Sequence, residues 1–82
     1  MPRYYFDVRD GDRLLADDTG LEFTDLEAAR QEAATALAEM AIPVLPSATR
    51  RNIMVEVRTD GGEPLLRLSL AFELERLKAD EG

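Results

Sequence analysis

The chain contains no cysteine, no histidine and no tryptophan. Without cysteine there is no disulfide, no thiolate nucleophile and no thiolate metal site. Without histidine the commonest metal ligand and the commonest general base near neutral pH are also gone. No stretch approaches the ~18 to 20 consecutive apolar residues that a membrane-spanning helix needs. The opening MPRYYFDVRD has no apolar segment of the kind that directs secretion. With two serines and no glycine-rich phosphate loop besides, the absences predict a cytoplasmic protein with no membrane partner, no cofactor and no enzymatic activity.

What is present is an acidic chain of 82 residues with a formal charge of −7, 45% hydrophobic and 33% charged. That length predicts one domain spanning residues 1–82, with 78–82 a frayed tail, and a thin core that buries about 60 to 65% of the unfolded chain's surface. The charge is uneven. Residues 10–27 hold seven acids against Arg13 alone, a local −6. A net negative domain repels phosphate backbones, so no nucleic-acid partner is expected.

Apolar residues follow a strand period at the start, with Tyr4, Phe6 and Val8 on one face and Arg3, Tyr5, Asp7 and Arg9 on the other. Asp10-Gly11 is then a favoured two-residue hairpin loop, setting Phe6 opposite Leu15 and Arg9 opposite Asp12 in a second strand over 12–16. The DDTG that follows fits a type I turn from Asp17 to Gly20, and LEF adds a short extended piece. Thr24 and Glu27 match a capping box, so a helix begins there, with Leu26, Ala29, Ala33, Leu37 and Met40 inward and Glu27, Gln31, Thr35 and Glu39 outward. Its small central alanines predict close approach to a sheet without a cavity beneath.

Pro43 and Pro46 end the helix in an irregular connection. A strand over 52–59 alternates Ile53, Val55 and Val57 against Met54, Glu56 and Arg58. After the DGG turn, a last strand sets Leu66, Leu68, Leu70 and Phe72 against Leu65, Arg67, Ser69 and Ala71. A two-residue loop there needs no bulge, whereas a three-residue loop needs one. A short C-terminal helix through Leu74 and Leu77 is expected to follow. The fold class is α+β: a β-β-α-β-β chain forming a small antiparallel sheet, with one helix packed on one face.

Three chemistries can be weighed against this frame. The acidic loop fails the calcium-loop pattern in every register: starting at Asp10 puts Leu14 and Leu21 where ligands belong. Asp10, Asp12, Asp17 and Asp18 therefore read as turn residues and no metal is expected, a weak divalent-ion site in the 10–22 region being the alternative. Asp7 and Glu56 would form a carboxylate pair if their strands are neighbours. Arg3, Arg9, Arg58 and Arg67 around Tyr5 resemble a single-strand RNA surface, but such surfaces stack bases on two or three aromatics and this one offers one.

The uncovered sheet face also carries Tyr5, Leu14, Met54 and Leu65, with Arg3, Arg58 and Arg67 at its margins. Apolar residues rimmed by arginine fit a protein interface, through which the chain self-associates as a homodimer or docks a protein partner.

The words MPRYYF, RDGD, DDTGLEF and DLEAARQEA together resemble a family of short bacterial proteins of unknown function, abundant in alpha-proteobacteria. The resemblance covers most of residues 1–40 and more loosely the final hairpin. It implies the same architecture and a cytoplasmic bacterial setting, and Asp7 stands where that family usually has histidine. A fainter likeness to HicB-type antitoxin domains implies, as an alternative, a module that binds a basic toxin.

Overall fold

The computed structural model describes residues 1–78. Strands β1 (Arg3–Asp10), β2 (Arg13–Leu15) and β3 (Leu21–Glu22) precede helix α1 (Leu26–Ala41), and β4 (Arg50–Arg58) and β5 (Pro64–Glu73) follow it. The sheet is antiparallel with order β2-β1-β4-β5, and β3 pairs with the other end of β1. The fold is the expected α+β class, with the outer edge split into two short strands. The core consists of Ile53, Val55 and Val57 of β4, Tyr4 of β1 and Ala29, Ala33, Leu37 and Ala41 of α1.

The first hairpin turns one residue later than the sequence suggests. Asp10 stays in β1 opposite Arg13, and Val8 rather than Phe6 faces Leu15. The loop is Gly11-Asp12, with φ of +64° at Gly11 and no positive φ at Asp12, the sign pattern of a type II′ turn. Asp10 is held in the strand by Arg51, whose Nε and Nη2 donate to its two carboxylate oxygens at 2.8 and 2.7 Å. The shift moves each partner by two positions, so no side chain changes face.

The helix also starts differently. Its N-cap is Asp25, extended at φ −157°, whose carboxylate accepts the Ala28 N–H at 2.9 Å. Thr24 and Glu27 do not form the expected capping box, and Glu27 instead binds Arg30 one turn on. Aspartate is the stronger cap of the two adjacent candidates, and its use starts the helix at Leu26.

In the last hairpin Gly62 N–H donates to the Thr59 carbonyl and Thr59 N–H to the Glu63 carbonyl, enclosing the three-residue loop Asp60–Gly62. The bulge that such a loop requires is present, breaking the register next to Val57 and Arg58. Beyond it Val57 faces Leu66 and Val55 faces Leu68, so the two apolar rows share a face. The expected C-terminal helix is absent over 74–78, and Leu74 N–H instead donates to the Thr49 carbonyl at 2.8 Å, just past the end of β5. The rest of the expected frayed tail, 79–82, lies outside the described residues. No helix among the described residues is long and apolar enough to cross a membrane.

The two cap assignments differ in outcome. Asp25→Ala is expected to cost about 1 kcal/mol and Thr24→Ala less than about 0.5 kcal/mol, read by urea unfolding.

Candidate interaction surface

Helix α1 covers one side of the sheet, and the other side is open. Strand registers fix the order of side chains on it. One row runs Leu14, Arg9, Met54, Ser69; the next runs Asp7, Glu56, Arg67; a third places Tyr5 beside Arg58. Leu14, Met54 and Arg67 of the predicted interface line one hollow of about 240 Å³ together with Asp7, Arg9 and Glu56. Leu65 lies apart at the bulge, in a shallow depression with Pro64 and Arg67 that also touches the core.

The other predicted members are engaged within the chain. Arg58 donates from Nε to Asp7 Oδ2 and from Nη2 to the Asp17 carbonyl, both at 2.7 Å, while its guanidinium lies 4.8 Å from the Tyr5 ring centre. Arg3 donates to the Thr19 carbonyl at 3.0 Å and pairs with Glu22. Both arginines clamp the Asp17–Gly20 turn against β1.

That turn is built on Asp17. Its Oδ1 accepts the Thr19 and Gly20 N–H groups and its Oδ2 the Phe6 N–H, all within 3.1 Å, while its own N–H donates to Asp7 Oδ1. Gly20 closes the turn at φ +75°, and a Cβ there would stand 3.0 Å from the Tyr4 carbonyl oxygen and the Tyr5 ring. The turn thus interrupts the outer edge between β2 and β3 and supports Tyr5 from below.

Asp7 and Glu56 do face each other across β1 and β4. Like charges in that position repel, and each is neutralised by its own arginine, Asp7 by Arg58 and Glu56 by Arg67 at 2.8 Å. Burial alone would raise the Asp7 pKa, but the Arg58 hydrogen bond, the Asp17 N–H and the Arg58 charge outweigh it and hold the carboxyl below its usual range. For Asp17 burial is likewise outweighed by the Phe6, Thr19 and Gly20 N–H groups and by Arg58. Both aspartates are thus held in the charged form more firmly than a free carboxylate.

Of the acidic-loop residues, Asp10 is committed to Arg51 and Asp17 to backbone N–H groups. Among the described residues no three or more metal-ligating side chains converge on one point.

A family model described as a domain of unknown function, DUF6894, matches residues 3–71. The chain belongs to the DUF6894 family. The DUF6894 match reaches from the first residue of β1 to within two residues of the end of β5, so it takes in every element of the fold and both faces of the sheet. No curated protein and no solved structure matches the chain.

Sequence reading did not anticipate that two apolar residues on the helix side stay exposed. Leu15 is 55% and Leu21 52% exposed, because α1 packs on β4 and β5 and leaves the β2/β3 margin bare. Strand parity places Leu15 on that side, whereas the sequence reading assigns no face to Leu21. The lateral position of the helix, which depends on three-dimensional packing, carries no local signal.

Asp17→Ala strips acceptors from three backbone N–H groups and is expected to cost about 2 to 3 kcal/mol. Since Asp7 and Asp17 bind protons more weakly folded than unfolded, their contribution is complete above the ordinary carboxylate range of about 4 and is lost as pH falls through the folded pKa values. Wild-type Tm is therefore expected to fall between pH 5 and 2 more steeply than that of Asp17→Ala, checked by thermal melts across that range.

Proposed function

We infer that this protein acts by binding another protein surface, not by chemistry of its own, and that the open sheet face is where a protein partner docks. The observation that carries the reading is the pairing of Leu14, 54% exposed, with Met54 at one hollow whose charged walls are largely neutralised within the chain. An apolar side chain entering that hollow displaces water from Leu14 and Met54 without stripping a free carboxylate of its hydration. Arg9, which stands between Leu14 and Met54 in the same row and is exposed, is available to a carbonyl or carboxylate of the partner.

Tyr5, by contrast, serves the fold, wedged between Gly20 and Arg58. The docking contacts are thus Leu14, Met54, Arg9 and Arg67, with Leu65 at the far margin.

A photo-crosslinking residue at position 54, in the protein expressed in its native host, is expected to trap a discrete protein adduct, and one at position 35 on the outer helix face is not. Leu14→Glu should reduce that adduct about tenfold or more, as loss of a central apolar contact does, with little change in Tm. Equal capture from both positions, or an adduct indifferent to Leu14→Glu, would contradict the reading.

A further inference from the structure

The two edges of the sheet are built differently. The β2/β3 edge is three and two residues long and broken by the Asp17–Gly20 turn. The β5 edge is ten residues long, with its proline at the first position and its bulge beside Leu65. From Leu66 to Phe72 it has neither proline nor bulge, and no charge points to the helix side. Those are the devices by which sheet edges ordinarily avoid pairing with other chains. Among the described residues no strand covers the outer backbone of β5.

The core also stops short there. On β4 the inward residues are buried, whereas Leu66, Leu68, Leu70 and Phe72 of β5 are all only partly buried. The exposed surface of 5965 Å² compares with about 4,900 Å² for a compact monomer of this mass. The segment after Glu73 carries much of that extra surface, with Leu74 44% and Leu77 90% exposed.

We propose that the partner for this edge is a second copy of the chain, joined by antiparallel β5–β5 pairing about a two-fold axis into one continuous sheet. The proposal rests on the reading of the protein as an interaction module but not on the open face being its docking site. A two-fold axis normal to the sheet keeps both helices on one side, so helix-side residues must face helix-side residues. The register with Leu70 opposite Leu70 of the second copy sets Leu68 opposite Phe72 and Leu66 opposite Leu74. On the open side it sets Arg67 opposite Glu73, twice by symmetry. Both side chains are exposed enough to turn from their present partners, Glu56 and Arg50, with 62% and 60% of their side-chain surface free.

Neighbouring registers that keep the faces matched are poorer. Moving one step toward the strand start sets Glu73 opposite Leu65 and Arg67 opposite Ala71. Moving one step the other way keeps an opposite-charge pair, Arg67 with Glu75, but sets Leu66 opposite Arg76 and Ser69 opposite Glu73. Only the register centred on Leu70 joins apolar to apolar and positive to negative throughout 66–74.

The charge pairing gives a test in which rescue by mixing separates lost pairing from a weakened fold, since Arg67→Glu also leaves Glu56 without its arginine and Glu73→Arg leaves Arg50 without its glutamate. Light scattering and sedimentation over a concentration series are expected to show a dimer for the wild type. Arg67→Glu alone and Glu73→Arg alone should each dissociate about tenfold or more readily, since each sets like charges opposite one another twice. An equimolar mixture of the two variants should regain wild-type association, because every facing pair is then of opposite sign. A wild type that stays monomeric throughout overturns the dimer and leaves the position-54 crosslink to decide the docking surface. A dimer unaffected by either variant, or weakened variants that mixing does not rescue, overturns β5 pairing while leaving self-association through another surface.

Discussion

Ile53, Val55 and Val57 have almost no exposed surface, and the positions of the other strands follow from facing that row. Facing it requires even-numbered residues inward on β1 and β5 and odd-numbered ones on β4. A strand slipped by a single residue would turn its whole apolar set to water. The irregularities of this sheet respect that constraint. The Asp17–Gly20 turn inserts residues in a pair, so Leu21 returns to the same face as Leu15 opposite β1. The bulge at the β4–β5 hairpin confines its single extra residue to the end of the ladder.

The same parity collects charge on the open face. Asp7 and Glu56, forced opposite one another, are tolerated because Arg58 and Arg67 flank them. Arg58 then does a second job: it reaches the Asp17 carbonyl and covers Tyr5, joining β4 to the turn that divides the outer edge. One edge is thus shortened and tied down by polar contacts, and the other is left long and apolar. Leu14 and Met54 remain as the apolar centre of a face whose ionic groups largely satisfy one another. Docking on that face and pairing at the β5 edge both call on Arg67, which holds Glu56 in the single chain and faces Glu73 in the pair.

Much of this was legible in the sequence. Alternation from Tyr4 to Val8, from Ile53 to Val57 and from Leu66 to Phe72 gave strands and their inward faces, and the Ala29–Ala33–Leu37 spacing gave the helix and its buried stripe. Family membership was legible in the first forty residues. Turn phase was not, because Asp10 is a sound turn residue locally and is kept in β1 by its pairing with Ile53 and by Arg51, forty-one positions away. The cap was misplaced by one residue because Thr24 and Asp25 are both good caps and the choice depends on how β3 delivers the chain. The roles of Arg3, Arg58 and Tyr5 were hidden for a similar reason: solvent-facing parity looks the same whether a side chain is free or folded over a neighbouring turn.

Neighbouring residues of β4 have opposite surroundings, Val55 buried under α1 and Met54 on the open face. Urea unfolding of Val55→Asn and Met54→Asn measures this in a single strand, at positions of equal backbone context. Val55→Asn is expected to lose more than about 3 kcal/mol, from lost apolar burial and an amide forced into the core, and Met54→Asn less than about 1 kcal/mol. Equal losses, or a larger loss at Met54, would contradict the assignment of faces on which the sheet, the docking surface and the β5 pairing all depend.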